Sequence, residues 1–189
     1  MGDNVDRNLV VEVGPGPGSL TRSILEYGVK DFIVVEKDSR FFPALLQIKS
    51  AFPFLQTIIG DILHTSDSSI LADRNIKDYD KVQIIGNLPY NISVPLCIQY
   101  LDKMTHNTGL LSHPNVELIL MFQKEVMERI CARPNEKKFG RLAIVSQFAA
   151  DVQNLYNFKP NIFTPAPKVH SSLVKFVKKT KRISDSINL

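Results

Sequence analysis

A chain of 189 residues, 44% of them apolar, has the length of one soluble globular domain with material for a core, and no run nears the ~18 uninterrupted apolar residues of a membrane span. Its 23 Lys and Arg against 19 Asp and Glu give a formal charge of +4, compatible with a polyanionic partner but not diagnostic of one. Two cysteines, Cys97 and Cys131, exclude a disulfide framework and a Cys-rich zinc site; with no secretion signal in the first 13 residues, this predicts a cytoplasmic protein without a structural metal.

The first predicted strand, 9–13, runs into Gly14-Pro15-Gly16-Pro17-Gly18 and then into a predicted helix over 19–27. A strand, a glycine turn and a helix in succession make a nucleotide-site context. The dinucleotide spacing G-x-G-x-x-G fails, because its last position falls on Ser19 counting from Gly14 and on Thr21 counting from Gly16. Pro15 and Pro17 lack the backbone N–H groups from which a pyrophosphate cradle is built, so a less negative ligand fits better. An acid near the end of the first strand, here Glu12, followed by G-x-G-x-G is the pattern by which methyltransferases receive S-adenosylmethionine. Gly14, Gly16 and Gly18 would then let the backbone approach its methionine part. The second strand, 32–35, is followed by Glu36, 22 residues beyond Gly14 and placed to hold ribose hydroxyls, with Lys37 beside it. After a helix over 39–51 and a third strand over 55–59 come Gly60, Asp61 and Ile62. There a carboxylate can accept from an adenine amino group while Ile62 packs on the ring. Each acid alone reads more readily as a solvated loop residue; three in register along three successive strands reverse that and make a cofactor site.

The fourth strand, 82–85, leads into Gly86-Asn87-Leu88-Pro89-Tyr90. Such a run suits methylation of an exocyclic amino group on a base, whose nitrogen lone pair is delocalised into the ring and attacks poorly until it pyramidalises. The Asn87 side-chain oxygen and the Leu88 carbonyl can accept the two N–H bonds, Pro89 fixes the turn, and Tyr90 offers a stacking face to a base that has been unstacked. The competing reading is a strand-ending turn with Tyr90 as a core aromatic. A helix over 93–104, a strand over 116–121 and a helix over 124–132 continue the alternation, which predicts a doubly wound α/β sheet. Beyond Gly140 the pattern changes to a helix over 141–148 and strands over 151–158 and 169–177. The Pro-rich link 159–168 joins these strands into a closing β-hairpin, and a basic tail follows.

Taken together, Glu-Val-Gly-Pro-Gly-Pro-Gly (12–18), Val-Glu-Lys-Asp (35–38), Gly-Asn-Leu-Pro-Tyr-Asn-Ile-Ser (86–93), Gln-Lys-Glu-Val (123–126), Phe-Gly-Arg-Leu (139–142) and Phe-Thr-Pro-Ala-Pro-Lys-Val-His-Ser (163–171) resemble the small-subunit (16S-type) ribosomal RNA adenine dimethyltransferases. The resemblance runs from about residue 10 to 176. It implies a Rossmann-like class I S-adenosylmethionine-dependent methyltransferase with a mostly parallel seven-stranded sheet, its catalytic domain spanning 1–178 and a basic tail over 179–189 opening a further domain. The cofactor set it implies is Glu12, Gly14, Gly16, Glu36, Lys37, Asp61, Ile62 and Asn87. The catalytic set is Asn87, Leu88, Pro89, Tyr90 and Phe163, with Tyr90 and Phe163 sandwiching a flipped adenine and no metal involved. Two successive methyl transfers onto N6 of each of two adjacent adenines near the 3′ end of small-subunit RNA follow from the resemblance, on an assembling ribosomal subunit and by a monomer. Lys137, Lys138 and Arg141 are candidates for phosphate contacts. The family's N-terminal lid segment and C-terminal helical domain are not visible in the sequence, which predicts low RNA affinity. Two alternatives stand beside this reading: a non-catalytic methyltransferase-fold factor that binds nucleic acid or ribosomes, and a large-subunit RNA adenine methyltransferase of the antibiotic-resistance type.

Overall fold

In a computed structural model, residues 7–162 and 167–180 are described, and they group into two compact units, one ending at Asn87 and the next beginning at Leu88. The first alternates β1 (Asn8–Val13), α1 (Ser19–Glu26), β2 (Asp31–Glu36), α2 (Phe42–Ala51), β3 (Leu55–Ile59), α3 (Asp67–Leu71) and β4 (Lys81–Gly86). Its strands are parallel in the order β3-β2-β1-β4. All six residues of β1 are buried, as expected of a strand covered on both faces, which is why this segment reads as an almost unbroken apolar run. Val10, Phe32, Val34 and Leu55 from the strands pack with Leu25 of α1 and with Leu45 and Ile48 of α2 in one core cluster.

The chain enters β2 through a polar latch. The Asp31 carboxylate accepts from Arg74 Nε at 2.9 and 3.0 Å and from the Tyr79 hydroxyl at 2.5 Å, while Arg74 Nη1 donates to Gln56 at 2.6 Å. These bonds tie the segment before β4 to the starts of β2 and β3, at the end of the sheet opposite the glycine turn.

The second unit contains α4 (Tyr90–His106), β5 (Val116–Gln123), α5 (Lys124–Ile130), α6 (Arg141–Ala149), β6 (Ala150–Phe158) and β7 (Ser171–Lys178). Its strands run in the order β5-β7-β6, antiparallel throughout. Leu118, Leu120, Phe122, Val174 and Phe176 are buried, and the Phe122 and Phe176 rings meet edge to face with centroids 6.1 Å apart. The expected α/β class is therefore present, with seven strands among the described residues, a parallel set in the first unit and a closing antiparallel hairpin in the second.

Three local differences have physical causes. The predicted helix over 39–51 is a 3-10 turn over Ser39–Phe41, capped by the Asp38 side chain, followed by α2, whose first turn accommodates Pro43 because no N–H partner is needed there. Helix α4 starts at Tyr90 rather than at residue 93, because Pro89 takes the extended cap conformation (φ −52°, ψ 137°) directly before it. The short helix α3 was not expected from periodicity; its N-cap Ser66 accepts from the Ser69 amide. No helix among the described residues is long and apolar enough to cross a membrane.

Candidate active site

Sheet register gathers the predicted cofactor residues of the first unit. Val13 pairs with Val35 and with Gly86, and Glu36 pairs with Ile59. Gly14, Glu36, Asp61 and Asn87 thus sit at or just beyond the carboxyl ends of four adjacent parallel strands. Between β1 and β4 the strand order reverses, the position at which open α/β sheets bind ligands.

The glycine turn has spent its own donors. The Gly14 amide donates to Val35 O (2.9 Å), the Gly16 amide to Glu36 Oε2 (2.9 Å) and the Gly18 amide to Pro15 O (3.0 Å). With prolines at the two intervening positions, no N–H of residues 14–18 is left to face a phosphate, which gives structural content to the objection against a dinucleotide. Gly16 and Gly18 both have left-handed φ, +56° and +85°, but serve different ends. A Cβ on Gly16 would meet nothing within 4 Å, so this glycine faces open space. A Cβ on Gly18 would lie 2.2 Å from Ile48 Cδ1. Gly18, expected to help the backbone approach a ligand, instead lets α1 pack closely on α2.

Glu36 is 6% exposed, and its two oxygens accept from the Gly16 amide and, at 2.7 Å, from the Asp38 amide. Each carboxylate oxygen has capacity for a further donor, as ribose hydroxyls require. Asp61 accepts from the Leu63 amide through Oδ1 and from Lys37 Nζ at 2.9 Å through Oδ2. The Lys37 hydrogen bond, then the Leu63 amide, hold its carboxyl below the usual range. Lys37 is thereby placed against Asp61, and Ile62 is buried beside it in the chain. Asn87 is exposed just past β4.

Glu12 is 1% exposed and accepts the Thr21 hydroxyl at 2.7 Å. Burial pushes its carboxyl from 4.5 up to about 7, against the Thr21 hydrogen bond and with a smaller push from Glu36. Because the folded value exceeds the unfolded one, the stability associated with protonated Glu12 is fully present below pH 4.5 and is lost as pH rises through about 7. We expect wild type to lose about 3 kcal/mol relative to Glu12→Gln across that interval, and the two to run parallel above it. Thermal unfolding across pH 4.5–8 tests this, and profiles parallel throughout would contradict it.

In the second unit Leu88 is buried, Pro89 caps α4, and Tyr90 is the first residue of that helix. The Tyr90 hydroxyl lies 2.6 Å from Ser171 Oγ at the start of β7. Ser171 and Thr21 are the residues to which the sequence assigned no role. Ser171 closes the quoted 163–171 run and Thr21 lies three residues past the 12–18 run, so a hydroxyl at the border of each motif is the signal that could have singled them out. Phe163 lies outside the described residues. Lys138 pairs with Glu128, whereas Lys137 and Arg141 are exposed.

Residues 5–189 match the family model described as ribosomal RNA adenine dimethylase. The chain is 41% identical over 179 residues to ribosomal RNA small subunit methyltransferase A of Phenylobacterium zucineum, covering 95% of this chain and 58% of that protein. It is 38% identical over 183 residues to mitochondrial dimethyladenosine transferase 1 of Bos taurus, covering 94% of this chain and 54% of that protein. The chain thus spans a little over half the length of these relatives. Among solved structures it resembles a dimethyladenosine transferase from Plasmodium falciparum, with a TM-score of 0.70 and 29% identity over 90% of this chain and 56% of that one. The 23S rRNA methyltransferase ErmE shares the fold, with a TM-score of 0.72 at 18% identity over 95% of this chain and 65% of that one.

Proposed function

Because the chain belongs to the ribosomal RNA adenine dimethylase family, we propose that it transfers methyl groups from S-adenosylmethionine to N6 of two adjacent adenosines near the 3′ end of small-subunit ribosomal RNA. Its action as a monomer on an assembling subunit and its cytoplasmic setting belong to the same proposal. The observation that carries it is the register that brings Gly14, Glu36, Asp61 and Asn87 to one edge of four adjacent strands.

The residues present fit the cofactor. Gly16 leaves open space where a side chain would stand, the buried Glu36 retains lone pairs for hydroxyl donors, and the turn offers no amide to a phosphate. Glu36 would hold the ribose, Asp61 and Ile62 the adenine, and Gly14, Gly16 and Glu12 the methionine end. Lys37 sets the position of the Asp61 carboxylate. When bound, the cofactor supplies an electrophilic methyl group.

The chain's own contribution to the transfer is positioning and hydrogen bonding. In the first transfer the Asn87 side-chain oxygen and the Leu88 carbonyl accept hydrogen bonds from the two N6 hydrogens, and in the second one of them accepts from the hydrogen that remains, localising the nitrogen lone pair toward the methyl group; each transfer releases one N6 proton to water. Pro89 holds this backbone extended ahead of α4. Tyr90, its hydroxyl tied to Ser171, presents a stacking face, and Phe163 would supply the opposing one. No covalent nucleophile is required, and orientation accounts for much of the rate.

The test is incubation of immature small ribosomal subunits and, separately, large-subunit RNA with methyl-labelled S-adenosylmethionine. Label on adenine N6 of the small-subunit RNA is expected. No label on either RNA sinks the enzymatic reading, and label confined to large-subunit RNA selects the resistance-type alternative.

A further inference from the structure

We propose that Tyr156 and Phe158, on the edge strand β6, form a stacking platform for an unpaired RNA base flanking the adenosine to be methylated; this rests on the RNA substrate proposed above. The two rings meet with centroids 4.7 Å apart at an interplanar angle of 55°, and Tyr156 is 60% exposed. A large aromatic left this open contributes little to a core and offers a π-face to any base.

Three observations aim this pair at nucleic acid. The first is its link to the reacting residues. Phe158 pairs with Ser171 across the antiparallel ladder, and directly opposed residues project on the same face of a sheet. Ser171 is the hydroxyl partner of Tyr90, and Tyr156 lies two positions before Phe158, on that same face by strand alternation. Tyr156, Phe158, Ser171 and Tyr90 therefore form a continuous path from the sheet edge to the proposed reaction centre. The second is charge: Lys159 and Lys168, at the two ends of the Pro-rich link and each within three residues of Phe158 or Ser171, are exposed, whereas Lys175 and Lys179 pair with Glu117 and Asp151 and Lys178 is buried. Phosphates flanking a stacked base would find cations there. The third is the irregularity of the edge itself. The β6–β7 register shifts between Asn154 and Tyr156, leaving Leu155 without a paired partner. Bulges of this kind twist an edge strand away from strand addition, which disfavours a second chain pairing on β6 and leaves the exposed rings to another occupant.

The experiment measures binding of the full chain to a short single-stranded RNA oligonucleotide containing two adjacent adenosines, by fluorescence anisotropy at fixed salt. The same oligonucleotide with an abasic site beside the adenosine pair is the second probe. Tyr156→Ala should weaken binding of the intact RNA roughly 5- to 100-fold, whereas Tyr156→Phe should stay within about twofold of wild type. Abasic RNA should bind wild type and Tyr156→Ala equally weakly, because the partner of the ring has already been removed. Unchanged affinity in Tyr156→Ala, an equal loss on intact and abasic RNA, or no measurable RNA affinity in wild type would each overturn the platform. So would a wild-type dimer that Tyr156→Ala dissociates without changing RNA affinity, since that outcome assigns the edge to a second copy. Methyl transfer is read separately. Tyr156-dependent RNA binding in a chain that transfers no label would reject the enzymatic reading while leaving the stacking site standing.

Discussion

Asn87→Ala is expected to lower the rate constant for methyl transfer at saturating cofactor by about 10²- to 10³-fold, the loss typical when one preorganised hydrogen-bonding group facing a reacting centre is removed. Asn87 lies just beyond β4, exposed and outside any helix or strand, so truncating it should alter folding stability by no more than about 0.5 kcal/mol. A rate effect and a stability effect are therefore separable. Single-turnover label transfer gives the first and thermal unfolding the second. Asn87→Asp keeps acceptor oxygens at the same position and should recover part of the rate. A role in packing predicts no such recovery. An unchanged single-turnover rate in Asn87→Ala would remove Asn87 from the reaction and leave the 87–90 segment as a strand-ending turn.

The second large effect is on stability. Gly18→Ala is expected to cost about 2–6 kcal/mol, from two contributions of similar size. A left-handed φ of +85° costs a non-glycine residue about 1–3 kcal/mol. The new Cβ would also stand 2.2 Å from Ile48 Cδ1, in a core where Ile48 is only 1% exposed, and overpacking of this kind costs about 1–3 kcal/mol. Ile48→Val removes the colliding methyl at its own cost of about 0.5–1.5 kcal/mol. In the double variant it should therefore restore the overpacking share and leave the backbone share. A double-mutant cycle by denaturant unfolding measures this coupling. Simple additivity would show that Gly18 is required only for its backbone conformation.

The two glycines illustrate why motif reading and structure diverge. Gly16 and Gly18 are equivalent letters in G-x-G-x-G. One borders open space and the other is filled by a side chain 30 positions away, and only the packing of α2 against α1 distinguishes them. Helix starts show the same limit. The helical spacing of Val94, Ile98 and Leu101 marks residues 93–104, but the inclusion of Tyr90 depends on the cap conformation of Pro89. That difference matters, because it moves Tyr90 from a loop onto a helix end.

Sequence by itself determined the alternation of strands and helices, the family, and the positions of Glu12, Glu36, Asp61 and Asn87 along the strand ends. Parallel strands buried on both faces must be apolar throughout, so any acid placed at or near their carboxyl ends is conspicuous. Tertiary structure alone decided what those acids touch. Glu12 is held by Thr21 and raised by burial, Glu36 is fixed by the Gly16 and Asp38 amides, Asp61 is held by Lys37, and Tyr90 is tied to Ser171 across 81 positions. Burial and hydrogen-bond partnership are properties of segments brought together by the sheet, and no local pattern encodes them. The aromatic pair on β6 belongs with these. In the sequence Tyr156 and Phe158 are two residues of an expected hairpin strand, and only their position at the sheet edge, facing the same side as Ser171, sets them apart.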